Sequence, residues 1–193
     1  TNPRYHWEYS HTPLTRFFGG LTAEYQTEVT TLAKSLSNCE LKMEYILFDD
    51  CYMSSLEAAY DLRHVIRHLI ACPTEIMVYG MPYSHIGEYL LAENPDYSAI
   101  CQAFYQFYSS YTYPYGTIAV TDCSRLDELA LLMKDIHSRY SLDNSQMASI
   151  QRMDGYSPVI FYDFGDYVRT LCGDDAEQLT QFETLLEQVV PYK

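Results

Sequence analysis

The sequence predicts an α/β fold in which helices cover a largely parallel sheet. Short apolar runs alternate with stretches of helical periodicity, the order that produces strands connected by crossover helices. The clearest strand is residues 45–48, an unbroken apolar run typical of a strand covered on both faces. A second such run, residues 68–72, is stopped by Pro73. At 193 residues the chain can bury a substantial core, and one domain is expected.

The remaining elements follow from periodicity and turn signals. Residues 1–20 are predicted to be an irregular loop, and residues 21–38 an amphipathic helix with Tyr25, Val29 and Leu32 on one face. The helix after the first strand is predicted to run to about Arg67. The further predicted helices are residues 82–91, 99–109, 125–140, 166–172 and 174–190, and the further predicted strands are residues 117–121 and 158–162.

Composition excludes several classes of function. A net charge of −14 argues against a nucleic-acid partner, because phosphate binding needs clustered Lys and Arg. No apolar run is long enough to span a bilayer, and the start shows no signal-peptide pattern. The six cysteines contain no C-x-x-C pair, which argues against a zinc site and against a dense disulfide framework; they are Cys39, Cys51, Cys72, Cys101, Cys123 and Cys172.

Residues 44–60 carry the clearest chemical signal. Asp49, Asp50 and Cys51 follow the predicted strand, at the sheet edge where open α/β folds place their ligands. Strand alternation predicts that Asp49 and Cys51 face the same side of the sheet. Ser54 or Ser55 caps the next helix, whose N-terminus would favour a thiolate. Two other interpretations stand beside this one: Cys51 as an inert buried residue, and the aspartates as helix-capping charges, the role favoured for Asp50.

The same segment resembles the nucleophile strand of the clostripain-like cysteine peptidases, relatives of gingipains and more distantly of caspases. The matching sequence is Ile-Leu-Phe-Asp-Asp-Cys-Tyr-Met at residues 46–53. Further family-like segments occur in the same order at residues 15–19, 70–76, 80–83 and 161–167. The resemblance therefore covers much of the chain and implies a caspase-like α/β/α sandwich, of which residues 1–193 form part of one peptidase domain.

The resemblance implies a cysteine endopeptidase that cleaves after a basic residue. Cys51 would be the nucleophile, and a histidine would act as general base and then protonate the leaving amine. Asp49 matches the family's acidic residue beside the primary specificity pocket. A buried or half-buried carboxylate there could accept a bidentate hydrogen bond from a guanidinium. Tyr79 occupies a loop position that is often acidic in the family, and so it also counts as a substrate-binding candidate.

The family's histidine lies in a His-Gly dipeptide upstream of the cysteine, and this sequence contains no His-Gly. The upstream histidines are His6, followed by Trp7, and His11, followed by Thr12. Residues 15–19 resemble family sequence that follows that dipeptide, so the resemblance implies a histidine just before Thr1. The expectation is a processed heavy chain whose histidine is on an associated upstream light chain. The resemblance also implies export from a bacterial cell, either secreted or at the cell surface or periplasm.

Several alternatives remain at this stage. A catalytically inactive module of the same fold could bind peptide or carbohydrate through the aromatic-rich stretch at residues 104–115, although helix packing also explains that stretch. No cofactor is expected, with calcium as the open alternative because some relatives need it. Four aspartates are either calcium ligands or, as favoured here, helix-start charges; they are Asp163, Asp166, Asp174 and Asp175. His64, His68 and His85 are expected to be structural or surface residues.

Overall fold

The computed structural model describes residues 17–19 and 25–193. In this part of the chain the strands are β1 (Phe17–Gly19), β2 (Gln26–Glu28), β3 (Met43–Leu47), β4 (Ile66–Ala71) and β5 (Ala119–Asp122). The helices are α1 (Val29–Asn38), α2 (Leu56–Leu62), α3 (Tyr83–Leu90), α4 (Tyr97–Ser109), α5 (Leu126–Arg139), α6 (Phe164–Cys172) and α7 (Ala176–Val189). Short 3-10 turns at Cys123–Arg125 and Gln146–Ser149 precede and follow α5.

The central sheet has the order β3-β4-β5. β3 and β4 run parallel, with Leu47 opposite Ile70, and α2 forms the crossover between them. β4 and β5 pair antiparallel, with Ala71 opposite Ala119. β4 is central and, except for its exposed Arg67, buried, which explains its nearly continuous apolar sequence. Helices cover a mixed sheet, and one of the two pairings in the described sheet is antiparallel.

Two hydrophobic clusters lie on opposite faces of this sheet. One includes Leu69 of β4 and packs beneath α1, α2, α5, α6 and α7. The other includes the adjacent Ile70 and packs beneath α3 and α4. Alternate residues of one strand therefore feed the two cores, as strand geometry requires. This confirms the three-layer α/β/α arrangement. The turn after β3 contacts the loop that connects β4 to α3.

Two predicted helices differ from the structure. Of the helix predicted over residues 21–38, residues 21–24 lie outside the described residues. In the described part α1 begins only at Val29, because Gln26–Glu28 pairs with Phe17–Gly19 as a two-stranded antiparallel ribbon. That ribbon also corrects the predicted loop at residues 1–20, of which residues 1–16 and 20 lie outside the described residues. The helix predicted to reach Arg67 ends at Leu62, because the chain from Ile66 onward joins the sheet instead.

The strand predicted over residues 158–162 is also wrong. The segment contains no strand ladder; a single antiparallel bridge joins Arg152 and Tyr162. Asp154 organises this loop, because its carboxylate accepts hydrogen bonds from the backbone amides of Tyr156, Ile160 and Phe161. These donors bond to a side chain and not to a neighbouring strand, a competition that the apolar pattern does not reveal. None of the helices in the described ranges is long and apolar enough to cross a bilayer.

Candidate active site

Cys51 lies in the turn just beyond the carboxyl end of β3. Its backbone N–H donates to the Asp50 Oδ1 at 2.8 Å, which fixes the turn. The Ile76 N–H donates to the Cys51 Sγ at 3.3 Å, and the thiol in turn lies 3.6 Å from the Ile76 carbonyl oxygen. Cys51 is half-buried, and its sulfur is hydrogen-bonded to the backbone that follows β4. Cys51 therefore differs from Cys72 and Cys123, which are buried in the core.

Partial burial raises the pKa of the Cys51 thiol, and the Asp50 and Glu75 carboxylates raise that pKa further. The Ile76 N–H acts in the opposite direction, because it stabilises the thiolate. The expected lowering by a helix N-terminus is therefore wrong. The helix α2 begins at Leu56, and its cap is Ser55, whose hydroxyl accepts from the Ala58 N–H. The favoured capping role of Asp50 is also wrong, because its carboxylate bonds the Cys51 amide instead.

The residue after the cysteine holds the turn in an unusual conformation. Tyr52 has a φ of 60°, in the left-handed region that bulky residues rarely adopt. Its ring stacks on Phe161 at 4.6 Å and contacts Tyr156 at 5.6 Å, both in the loop that Asp154 organises. The left-handed backbone beside the thiol is thus held by packing, as is common where a functional group must be presented at a fixed angle.

Asp49 faces the loop between β4 and α3. Its Oδ1 accepts a hydrogen bond from the Met81 N–H at 2.9 Å. Burial raises the pKa of Tyr83, and the nearby Asp49 carboxylate raises that pKa further. Gly80, with a φ of 63°, packs so tightly that a Cβ there would lie 2.8 Å from the carboxylate. Asp49 is solvent-exposed in this structure, which corrects the expectation of a buried or half-buried group.

The expected strand alternation does not relate Asp49 to Cys51, because β3 ends at Leu47. The two residues are related instead through residues 76–81, which we call the bridging loop. It contacts the Cys51 sulfur at Ile76 and the Asp49 carboxylate at Met81. Tyr79 lies on this loop with 58% of its surface exposed. One loop thus carries groups next to both the thiol and the carboxylate.

The other aspartate and histidine candidates named from the sequence have structural roles or lie at the surface. Asp163 and Asp175 cap α6 and α7, as favoured from the sequence. His64 and His85 are exposed, whereas buried His68 has its Nδ1 3.2 Å from the Glu44 Oε1. Within the described ranges, no group of three His, Cys, Asp or Glu residues is arranged to hold a metal ion. His6 and His11 lie outside the described residues.

Three contributors to this region were not identified from the sequence. The Ile76 amide acts through its backbone, so that its side chain gives no signal. Gly80 lies in a family-like segment, and a glycine followed by Met-Pro could have marked a left-handed turn. Tyr108 donates its hydroxyl to the Gly80 carbonyl oxygen, and nothing distinguishes it within the many tyrosines of the aromatic-rich stretch.

The fold is that of caspase-like C11 protease structures. A family model for the clostripain family of peptidases matches residues 10–189, so the chain belongs to that family and is a cysteine protease by class. A comparison with curated protein sequences gives no match.

Solved structures agree with this assignment. A clostripain from Bacteroides thetaiotaomicron, in complex with the peptide inhibitor BTN-VLTK-AOMK, is 58% identical with a TM-score of 0.87, over 91% of this chain and 78% of that one. A secreted C11 cysteine protease from the same species is 57% identical with a TM-score of 0.89, over 97% of this chain and 53% of the other. An inactive zymogen C11 protease from Parabacteroides distasonis is 33% identical with a TM-score of 0.72, over 86% and 47%. The chain thus spans between about half and about three quarters of these relatives.

Proposed function

We propose that this chain carries the nucleophile and the primary specificity pocket of a secreted endopeptidase. Cys51 attacks the scissile carbonyl carbon, forms an acyl-enzyme and releases the amine, and water then hydrolyses the thioester. The observation that carries the proposal is the half-buried Cys51 just beyond the carboxyl end of β3, whose sulfur accepts a hydrogen bond from the Ile76 N–H at 3.3 Å. That donor stabilises the thiolate as the base removes its proton.

The proton acceptor in this proposal is a histidine on an upstream light chain. A thiol with a raised pKa is protonated at neutral pH, so it requires a general base at the moment of attack. In the described sheet, β3 has β4 on one side only, and its outer edge could pair with a strand of the upstream segment. The related zymogen supports activation by processing, and the related secreted protease supports secretion. Sequencing of the polypeptides that copurify with this chain tests the light chain directly.

The substrate in this proposal carries a basic side chain before the scissile bond. Asp49 supplies the opposite charge, and the exposed Tyr79 ring on the bridging loop offers an aromatic face to the aliphatic stem or to the cation. A clostripain that is 58% identical to this chain binds an inhibitor in which lysine precedes the AOMK group.

The test of the pocket compares two substrates in the protein expressed from its complete gene. Peptides that differ only in lysine or norleucine before the cleaved bond are assayed with the wild type and with Asp49→Asn. A lost charged partner within a desolvated complex costs about 2 kcal/mol, so the variant should lose roughly 30-fold in kcat/KM for lysine. Turnover of the norleucine peptide should change little. Equal losses for both peptides, or a wild-type preference for apolar residues, would contradict the assignment of Asp49.

A further inference from the structure

We propose that Tyr108 is a positioning residue for substrate specificity: it holds the bridging loop so that the Asp49 carboxylate meets the basic side chain of the substrate. This inference rests on the proposed function of Asp49. It assigns a role to a residue that lies on α4, outside the turn that carries the nucleophile.

The first contact in the argument is the hydrogen bond between Tyr108 and the bridging loop. The phenolic hydroxyl donates to the Gly80 carbonyl oxygen at 2.6 Å, and only 2% of the Tyr108 surface is exposed. Burial raises the pKa of Tyr108 to about 12, so the hydroxyl keeps its proton throughout the neutral range. If the hydroxyl were removed, the Gly80 carbonyl would lose this partner, a loss that costs free energy in a partly buried site.

The second contact is between the bridging loop and the Asp49 carboxylate. Gly80 lies so close to Asp49 that a Cβ would be 2.8 Å from one oxygen and 2.9 Å from the other. The next residue, Met81, donates its backbone N–H to the Asp49 Oδ1. A displacement of Gly80 therefore moves the hydrogen-bond donor of the carboxylate, and it opens or closes the space in which the carboxylate sits.

The ring of Tyr108 is itself immobilised. It packs against four aromatic rings at centroid distances of 4.7 to 6.0 Å; they belong to Phe104, Phe107, Tyr111 and Tyr115. One of these neighbours, Tyr111, also contacts the exposed Tyr79 of the bridging loop, with ring centroids 5.1 Å apart. The bridging loop and the Tyr108 ring therefore pack against a shared aromatic neighbour. A donor that is fixed by packing can define the loop position, whereas a surface hydroxyl would follow the loop. This gives the aromatic-rich stretch a role beyond helix packing.

The test uses the ratio of kcat/KM for the lysine peptide to that for the norleucine peptide. Tyr108→Phe keeps the ring and removes only the hydroxyl, and we expect the ratio to fall about fivefold while turnover of the norleucine peptide is retained. Tyr115→Phe is the matched control, because Tyr115 contacts Tyr108 at 5.2 Å and its hydroxyl has no hydrogen bond to the bridging loop in the described residues. That variant should leave the ratio unchanged.

The double variant separates positioning from a general loss of packing. If Tyr108 acts through Asp49, adding Tyr108→Phe to Asp49→Asn should not lower the ratio further. An unchanged ratio in Tyr108→Phe alone, or an equal further fall in the double variant, overturns the inference. If Asp49→Asn itself leaves the ratio unchanged, the pocket assignment fails and this inference fails with it. A fall in Asp49→Asn without one in Tyr108→Phe overturns only the role of Tyr108.

Discussion

Cys51 illustrates how much of a nucleophile's behaviour depends on neighbours that are distant in sequence. The position of the cysteine after a strand was predictable, because an apolar run followed by polar residues marks a strand end. Its electrostatics were not predictable. The carboxylate of Glu75 and the amide of Ile76 reach the thiol only because β4 pairs in parallel with β3. The net effect is a raised pKa, opposite to the expectation from a nearby helix.

A pH profile of alkylation tests this electrostatic environment. A raised pKa means that the thiolate is the minor form at neutral pH, so the rate of Cys51 modification by iodoacetamide should still be rising at pH 9. Glu75→Gln removes one of the charges that raise the pKa, and it should move the profile to lower pH. Peptide mapping assigns the rate to Cys51, and Glu128→Gln on α5 serves as the distant control. A rate that is already constant below pH 7 would show a resting thiolate instead.

At the scale of elements, helices and strands that are bounded by tertiary pairing were predicted least well. The strand β2 has a helical sequence pattern, yet it pairs with β1, and the apparent helix through residues 63–67 gives way to β4. In both cases a partner strand supplies hydrogen bonds that local sequence does not show. Elements with strong internal signals were predicted well; α3, α4 and α7 lie within two residues of the predicted ends.

The cap of α2 offers a local test, because the sequence left Ser54 and Ser55 as alternatives. The Ser55 hydroxyl accepts from the Ala58 N–H at 3.2 Å, whereas Ser54 contacts Cys72 through its backbone N–H. Ser55→Ala should therefore lower the free energy of unfolding by about 1 kcal/mol, the usual value of an N-cap. Ser54→Ala should change it by less than about 0.5 kcal/mol. Urea unfolding of both variants measures these changes. Equal losses in the free energy of unfolding would show that the hydroxyl of Ser55 is not the cap.

At the scale of the whole molecule, the sandwich and the edge on which the site lies followed from the sequence. Alternating apolar runs and helices required a sheet with two covered faces, and the two clusters around Leu69 and Ile70 confirm this. The bridging loop could not be predicted, because it joins Cys51 to Asp49 through backbone groups and a left-handed glycine. Those contacts depend on where β4 ends and where α4 packs, which are properties of the complete fold.

The central claim is that Cys51 is the nucleophile of a peptidase, and active-site labelling tests it most directly. The protein expressed from its complete gene is treated with a chloromethyl ketone peptide that ends in lysine, and its mass is measured before and after proteolytic mapping. We expect one adduct, located on Cys51, with loss of turnover in proportion to labelling. Cys51→Ala should fold, remain unlabelled and cleave no substrate. An active protein whose adduct lies on another residue, or substantial turnover by Cys51→Ala, would contradict the assignment of the nucleophile.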